Sequence, residues 1–179
     1  MSKKVPTVVR SALLPGSALQ PLVKDGLGAV APAHRNYIEA PLRPSFEDSL
    51  DIDEGLRPGR EAENRWDYLL GHGPSRTVIA LEPHSARTGE VDTVIRKKAA
   101  ARTQLYGHMA SGARILHWFW VASGEVQFAD TERARRRLDE QGIHFIGRAL
   151  LAKHLPKPVA TPARRRGARR RRRAASSRQ

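Results

Sequence analysis

The stretch Arg65-Trp66-Asp67-Tyr68-Leu69-Leu70-Gly71-His72-Gly73-Pro74-Ser75-Arg76-Thr77-Val78-Ile79-Ala80-Leu81-Glu82 decides the fold. Its first six residues read as a strand. Its last six read as a second strand, rich in β-branched residues. Turn formers from Gly71 to Ser75 separate them, so the pair reads as a hairpin. A turn centred between Gly73 and Pro74 sets Asp67 opposite Ala80. Side chains alternate between faces with a period of two, so Glu82 and His84 share the face of Asp67. Two carboxylates and an imidazole on one face near strand ends suit a divalent cation, and oxygen ligands favour Mg²⁺ or Mn²⁺. Such an ion polarises a phosphodiester and lowers the pKa of bound water. A one-residue slip would move one carboxylate to the other face, so this reading depends on register. The plainer alternative is that Asp67 caps or pairs locally and Glu82 ends a strand.

Beyond the hairpin, Glu90 to about Met109 has helical periodicity, with Val91, Val94, Ile95, Leu105 and Met109 on one face. Lys98 and Arg102 fall on that same face. Either they snorkel past the core edge, or the helix covers a site that wants positive charge. Lys97 and Gln104 share a flank, with His108 a turn further on. A cation beside a metal-bound water stabilises developing charge or orients the nucleophile, which makes Lys98, Lys97 and Gln104 catalytic candidates. The run Ile115-Leu116-His117-Trp118-Phe119-Trp120-Val121 reads as a strand buried on both faces. Trp118 and Trp120 share a face, suited to core packing or to base stacking. Ser123-Gly124 reads as a turn and Val126-Gln127-Phe128 as a short returning strand. Asp130 reads as the N-cap of a helix ending at Gly142. Residues 143–147 read as another strand, and 149–155 as a short helix or strand.

On the N-terminal side, residues 1–45 hold six prolines and no sustained period. They read as an irregular arm, partly disordered or draped over the domain. Residues 47–54 carry five carboxylates and read as a solvated stretch or helix start, or else as an internal partner for the basic C-terminus. The chain therefore divides into an arm (1–45), a single α/β or α+β domain (46–155) with a small mixed sheet flanked by helices, and a tail (156–179).

Charge follows that division. The 179 residues include 32 Lys plus Arg against 18 Asp plus Glu, a net charge of +14. Ten of the basic residues and no acid lie in 156–179, which leaves the remainder at +4. Arg164, Arg165, Arg166, Arg169, Arg170, Arg171, Arg172 and Arg173 form a run whose repulsion keeps it disordered when free and whose chemistry is polyanion binding. Nucleic acid, DNA or RNA, is the expected partner; an acidic protein is the alternative. The absence of cysteine excludes disulfides, Cys-ligated zinc, iron–sulfur clusters and thiol catalysis. It agrees with an intracellular setting, cytoplasmic or nucleoid-associated. No apolar run approaches the roughly 18 residues of a membrane span. There is no metalloprotease histidine spacing, no Gly-rich phosphate loop and no nucleophile elbow.

In residues 60–147 the chain resembles the PD-(D/E)XK nuclease superfamily. That resemblance implies a restriction-endonuclease-like core of helix, three-stranded meander, helix and strand. It maps the acidic pair onto Asp67 and Glu82, with Glu82-Pro83-His84 in place of Glu-x-Lys. It also maps Lys97 or Lys98 and Gln104 onto the following helix, and Glu61 or Glu63 onto a first-helix acid. The departures are His84 where lysine is expected, Pro83 before it, and a first meander strand that must come from before residue 60. Three functions follow as expectations. One is a nucleic-acid-binding protein with a divalent-metal nuclease site formed by Asp67, Glu82 and His84. The second is a non-catalytic nucleic-acid-binding or accessory protein on the same fold. The third is an interaction module whose tail docks on an acidic partner.

Overall fold

The computed structural model describes residues 6–87, 89–127 and 132–159. The hairpin is present as β3 (Tyr68–His72) and β4 (Thr77–Ala86). Its register differs by two residues from that read in the sequence: Tyr68 pairs with Leu81 and Leu69 with Ala80. Extended by one residue, this sets Asp67 opposite Glu82, not Ala80. The cause lies at the turn. Gly71 and His72 stay in the strand, with His72 buried and its Nδ1 2.6 Å from Ser75 Oγ. Arg76 then closes the connection at φ 54°. Gly71 can sit mid-strand because Asp48 and Val8 press on it where a Cβ would stand. A shift of two preserves every side chain's face, so Glu82 and His84 remain on the Asp67 side.

The first meander strand is β2 (Phe46–Asp51), drawn from the acidic stretch, and it pairs antiparallel with β3. Helix α2 (Ile52–Leu56) follows, capped by Asp51, whose Oδ1 accepts from Glu54 N at 2.8 Å. The stretch is thus not simply solvated. Asp48 is fully buried and accepts from Thr7 Oγ1, Val9 N and Arg10 N at 2.5, 2.9 and 3.0 Å. That carboxylate holds the start of α1 (Val8–Ala12). Glu47 pairs with Arg76, Asp53 with Arg57 and Arg65, and Glu54 with Arg57. All five carboxylates have partners inside the fold.

Strand β1 (Lys24–Asp25) edges the sheet beside β2. After β4 the chain crosses through α3 (Glu90–Leu105) to β5 (His117–Val126), then through α4 (Glu132–Glu140) to β6 (Ile143–Phe145). Both crossovers make parallel pairs, and the six strands lie in sequence order. The turn at Ser123-Gly124 and the returning strand after it are not formed. Instead β5 runs on to Val126, which pairs in parallel with Ala86 after an irregularity, and Gly124 absorbs the distortion at φ +109°. Phe128 and Asp130 lie outside the described residues. No helix among the described residues is long and apolar enough to cross a membrane.

The sheet is covered on both faces. One core gathers Leu69, Val78, Ala80, Trp118 and Trp120 beneath α1, α3 and α4; the other holds Tyr68, Ile79, Leu81, Phe119 and Val121. Residues 6–45 supply Val9, Leu13 and Leu19 to the first core and Val30 and Ile38 to the second. Trp118 and Trp120 are core residues, 4% and 0% exposed. The result is an α+β protein: a six-stranded mixed sheet with flanking helices.

Candidate functional site

Three sequence-selected side chains meet on the helical face, midway along β4 and just before the start of β3. Glu82 is fully buried. Its Oε2 accepts from the Asp67 backbone N–H at 2.9 Å, a direct consequence of the register. Its Oε1 pairs closely with Lys97 Nζ, which also lies 3.4 Å from Asp67 Oδ1. Lys97 reaches the pair because Val94, Lys97, Ala101 and Gln104 form one stripe of α3 at helical spacing; Val94, Ala101 and Gln104 are buried. The inward face keeps the apolar stripe read in the sequence, with Val91, Val94 and Leu105 buried and Ile95 and Met109 packed against the core, and widens to take in Ala101 and Gln104. Lys97 and Gln104 point in and Arg102 is exposed. The cause is the Ala99-Ala100-Ala101 centre, which carries too little directional weight to set the extent of the face.

Burial pushes the Glu82 carboxyl well above the usual range, and the Asp67 charge adds to this, against the opposing pull of Lys97. Burial also opposes the charge on Lys97, but the Glu82 and Asp67 carboxylates outweigh it and hold the ammonium above its ordinary value. Both shifts have one meaning: two carboxylates share a single cation, so the group binds protons tightly. Lys97 stays charged at neutral pH and serves as a donor, not as a base.

His84 sits beside Glu82. Its Nδ1 is 3.6 Å from Glu82 Oε1 and its Nε2 is 2.9 Å from Glu90 Oε2. Glu90 also accepts from Ser85 Oγ at 3.3 Å, and these hydrogen bonds lower its pKa, that from His84 foremost. Asp51, not selected from the sequence, caps α2 beside the site, and its pKa is raised by burial first, with the Asp53 and Asp67 charges adding. The spacing Asp51-x-x-Glu54 is the signal that marks it as a cap.

The remaining candidates are elsewhere. Lys98 turns to the end of α4, where its amine donates to Gln141 O and, at 3.0 Å, to Gly142 O, and it stands 5.3 Å from the Trp118 ring centroid. Gln104 donates to Glu63 Oε2 at 2.8 Å and to Asn64 O at 3.1 Å. Glu61 accepts from Gly59 N, in turns where the resemblance implies a first helix. Arg164 to Arg173 lie outside the described residues.

One test of the metal reading is geometric. Lys97 Nζ touches both carboxylates, so their nearest oxygens are no more than about 6 Å apart. Carboxylates more than roughly 8 Å apart could not share one ion at ordinary ligand distances. Asp67 and Glu82 lie inside that limit, with Lys97 Nζ standing between them. Among the described residues, no three His, Asp or Glu side chains converge as a preformed metal cluster.

Fold and site together define an α+β protein with a buried acid–acid–lysine centre between its sheet and a crossover helix. Comparison with protein-family models, curated proteins and solved structures found no match to this chain.

Proposed function

We propose that the chain is a nucleic-acid-binding protein with a nuclease-like phosphodiesterase centre. The observation that carries this reading is the meeting of Lys97 with Asp67 and Glu82. Further support is the order β2–β3–β4 meander, helix α3, parallel strand β5, which is the order the PD-(D/E)XK resemblance implies. The lysine comes from the helix and His84 stands at the strand position. Asp67 and Glu82 would hold Mg²⁺ or Mn²⁺, whose chemistry is to polarise the phosphodiester and acidify bound water. Lys97 keeps its proton and offers charge to the negative charge that develops on the reacting phosphate. Glu90 holds the His84 ring beside the centre. The arginines 164–173 supply sequence-independent affinity. Contact with six to eight phosphates gives a salt slope of about −5 to −7 on duplex DNA. A cytoplasmic or nucleoid-associated setting would accord with such a role.

One observation favours a second reading, a non-catalytic binding or accessory protein: the Lys97 ammonium already satisfies both carboxylates. The deciding assay measures cleavage of single- and double-stranded substrates with Mg²⁺ or Mn²⁺ by the wild type, Asp67→Ala and Glu82→Ala. Metal-dependent cutting that falls at least about 100-fold in both variants is expected for a metal-assisted centre. Cutting that survives both substitutions sinks the nuclease reading. Binding without cutting supports the accessory role. No salt-dependent binding removes nucleic acid and leaves the acidic-protein partner.

A further inference from the structure

Away from the acid–lysine centre, a groove of about 870 Å³ opens between the C-terminal half of α3, the loop after it and the start of β5. Its walls are apolar: Leu14, Leu105, Met109, Ile115, Leu116 and Trp118. Its charged lining is Lys98, Arg102 and Arg114, with no carboxylate. Among the described residues, Arg102 and Arg114 make no ion pair. On the rim Tyr106 is 86% and Leu116 63% exposed.

We propose that this groove binds single-stranded nucleic acid, with bases against Tyr106 and Leu116 and phosphates at Arg102, Arg114 and Lys98. The proposal rests on the nucleic-acid reading above and deepens it. Three cations without counter-charge call for a polyanion, whereas a fatty-acid carboxylate carries one charge. Apolar walls beside an exposed aromatic ring call for a flat, unstacked partner. Duplex DNA offers phosphates but hides its base faces, while a single strand offers both. The arginine tail of this chain is excluded as occupant by its charge. Lys98 is held in place by the two carbonyls at the end of α4, and an ammonium has a third N–H to spare.

Position adds support. Val159 N donates to Pro74 O at 2.9 Å, so the chain leaves for its tail from the turn before β4. The groove's rim residues precede β5, whose His117 pairs with Ile79 near the start of β4. Groove and tail root therefore share one end of the sheet, and one strand can engage both.

The test uses the full chain and a 5-bromouracil-substituted single-stranded oligonucleotide. Photocrosslinks are mapped to peptides, and affinities for the single strand and a matching duplex are measured for wild type, Tyr106→Ala and the Arg102→Ala/Arg114→Ala pair. These side chains are exposed, so the fold survives, as circular dichroism will show. The expected result is crosslinking within residues 102–118 and a loss of single-strand affinity of about tenfold in each variant, with duplex affinity nearly unchanged. Crosslinks confined to the tail, with variant affinities unchanged, overturn the groove proposal and leave the nucleic-acid reading standing. A wild type that binds neither oligonucleotide overturns the underlying reading. Binding of anionic phospholipid vesicles in place of the oligonucleotide, lost in the same variants, overturns the proposal in favour of a membrane surface.

Discussion

Replacing Lys97 by methionine removes the one cation between Asp67 and Glu82 and keeps the length of the side chain. Glu82 is then left with a single donor, the Asp67 N–H at 2.9 Å, in a position with no solvent exposure. Breaking a buried pair from one side costs about 3–5 kcal/mol. Protonation sets a ceiling, since a carboxyl of ordinary pKa near 4.3 can be neutralised at pH 7 for about 3.7 kcal/mol. The Glu82 pKa is already raised in the wild type, which bears part of this cost, so the expected loss is at most about 3 kcal/mol at pH 7. At pH 5 the same ceiling falls to about 1 kcal/mol. The sign follows from linkage: a carboxyl whose folded pKa is raised contributes stability fully present below its unfolded pKa and lost as pH rises through the folded pKa. Lys97→Met must thus grow more destabilising between pH 5 and pH 7. Urea denaturation at the two pH values reads this directly. Adding Glu82→Gln to Lys97→Met should abolish most of the pH dependence. A loss below about 1 kcal/mol at pH 7, or one equal at both pH values, would refute a buried, coupled pair.

Two further outcomes follow from the fold. Asp48→Ala strips three donors of their acceptor and should cost about 3 kcal/mol. Amide exchange at Val9 and Arg10 should quicken, and a loss under about 1 kcal/mol would mean that Asp48 does not hold α1. Lys98, pulled down to about 8 by burial and then by the Arg102 charge, should be half neutral near that pH. Competitive acetylation followed by peptide mapping should show this, and a midpoint near the ordinary lysine value of about 10.4 would contradict it.

What could be read from the sequence follows from how strongly each signal is tied to burial. The β3–β4 hairpin was legible because alternating burial sets its faces, and the two-residue register error left those faces intact. Asp67 and Glu82 were placed on one face on that basis, and Lys97 was picked out from the flank of the following helix. Strand β2 was not legible, because Glu47, Asp48 and Asp51 occupy strand positions and their partners (Thr7, Arg76, Glu54) become visible only in three dimensions. The α3 apolar stripe was legible, but the extent of the inward face was not, because its alanines fit any face. Lys98 reads as a neighbour of the carboxylates, yet its amine turns away from them to the carbonyls at the end of α4. The continuation of β5 past Gly124 was hidden for a simple reason: Ser-Gly reads as a turn wherever it occurs, and parallel pairing with Ala86 has no local signature.

The centre itself is not explained by stability. Packing of Leu69, Val78 and Ala80 into the helical-face core sets the register that brings Asp67 against Glu82. Two carboxylates so placed repel, and burial of Glu82 adds to the cost. Lys97 offsets that cost but does not remove it, since desolvating an ion pair commonly costs as much as the pair returns. A well-packed apolar trio at 67, 82 and 97 would serve the core at least as well. A buried charged group that costs stability, with a partly exposed histidine and glutamate beside it, has the character of a functional centre. A Leu-type replacement of Glu82 and Lys97 together should leave the protein folded and about as stable as the wild type by urea denaturation, while any activity of the centre is lost. If instead the double replacement unfolds the protein, the pair is a structural element of the sheet–helix interface and the case for chemistry at this site fails.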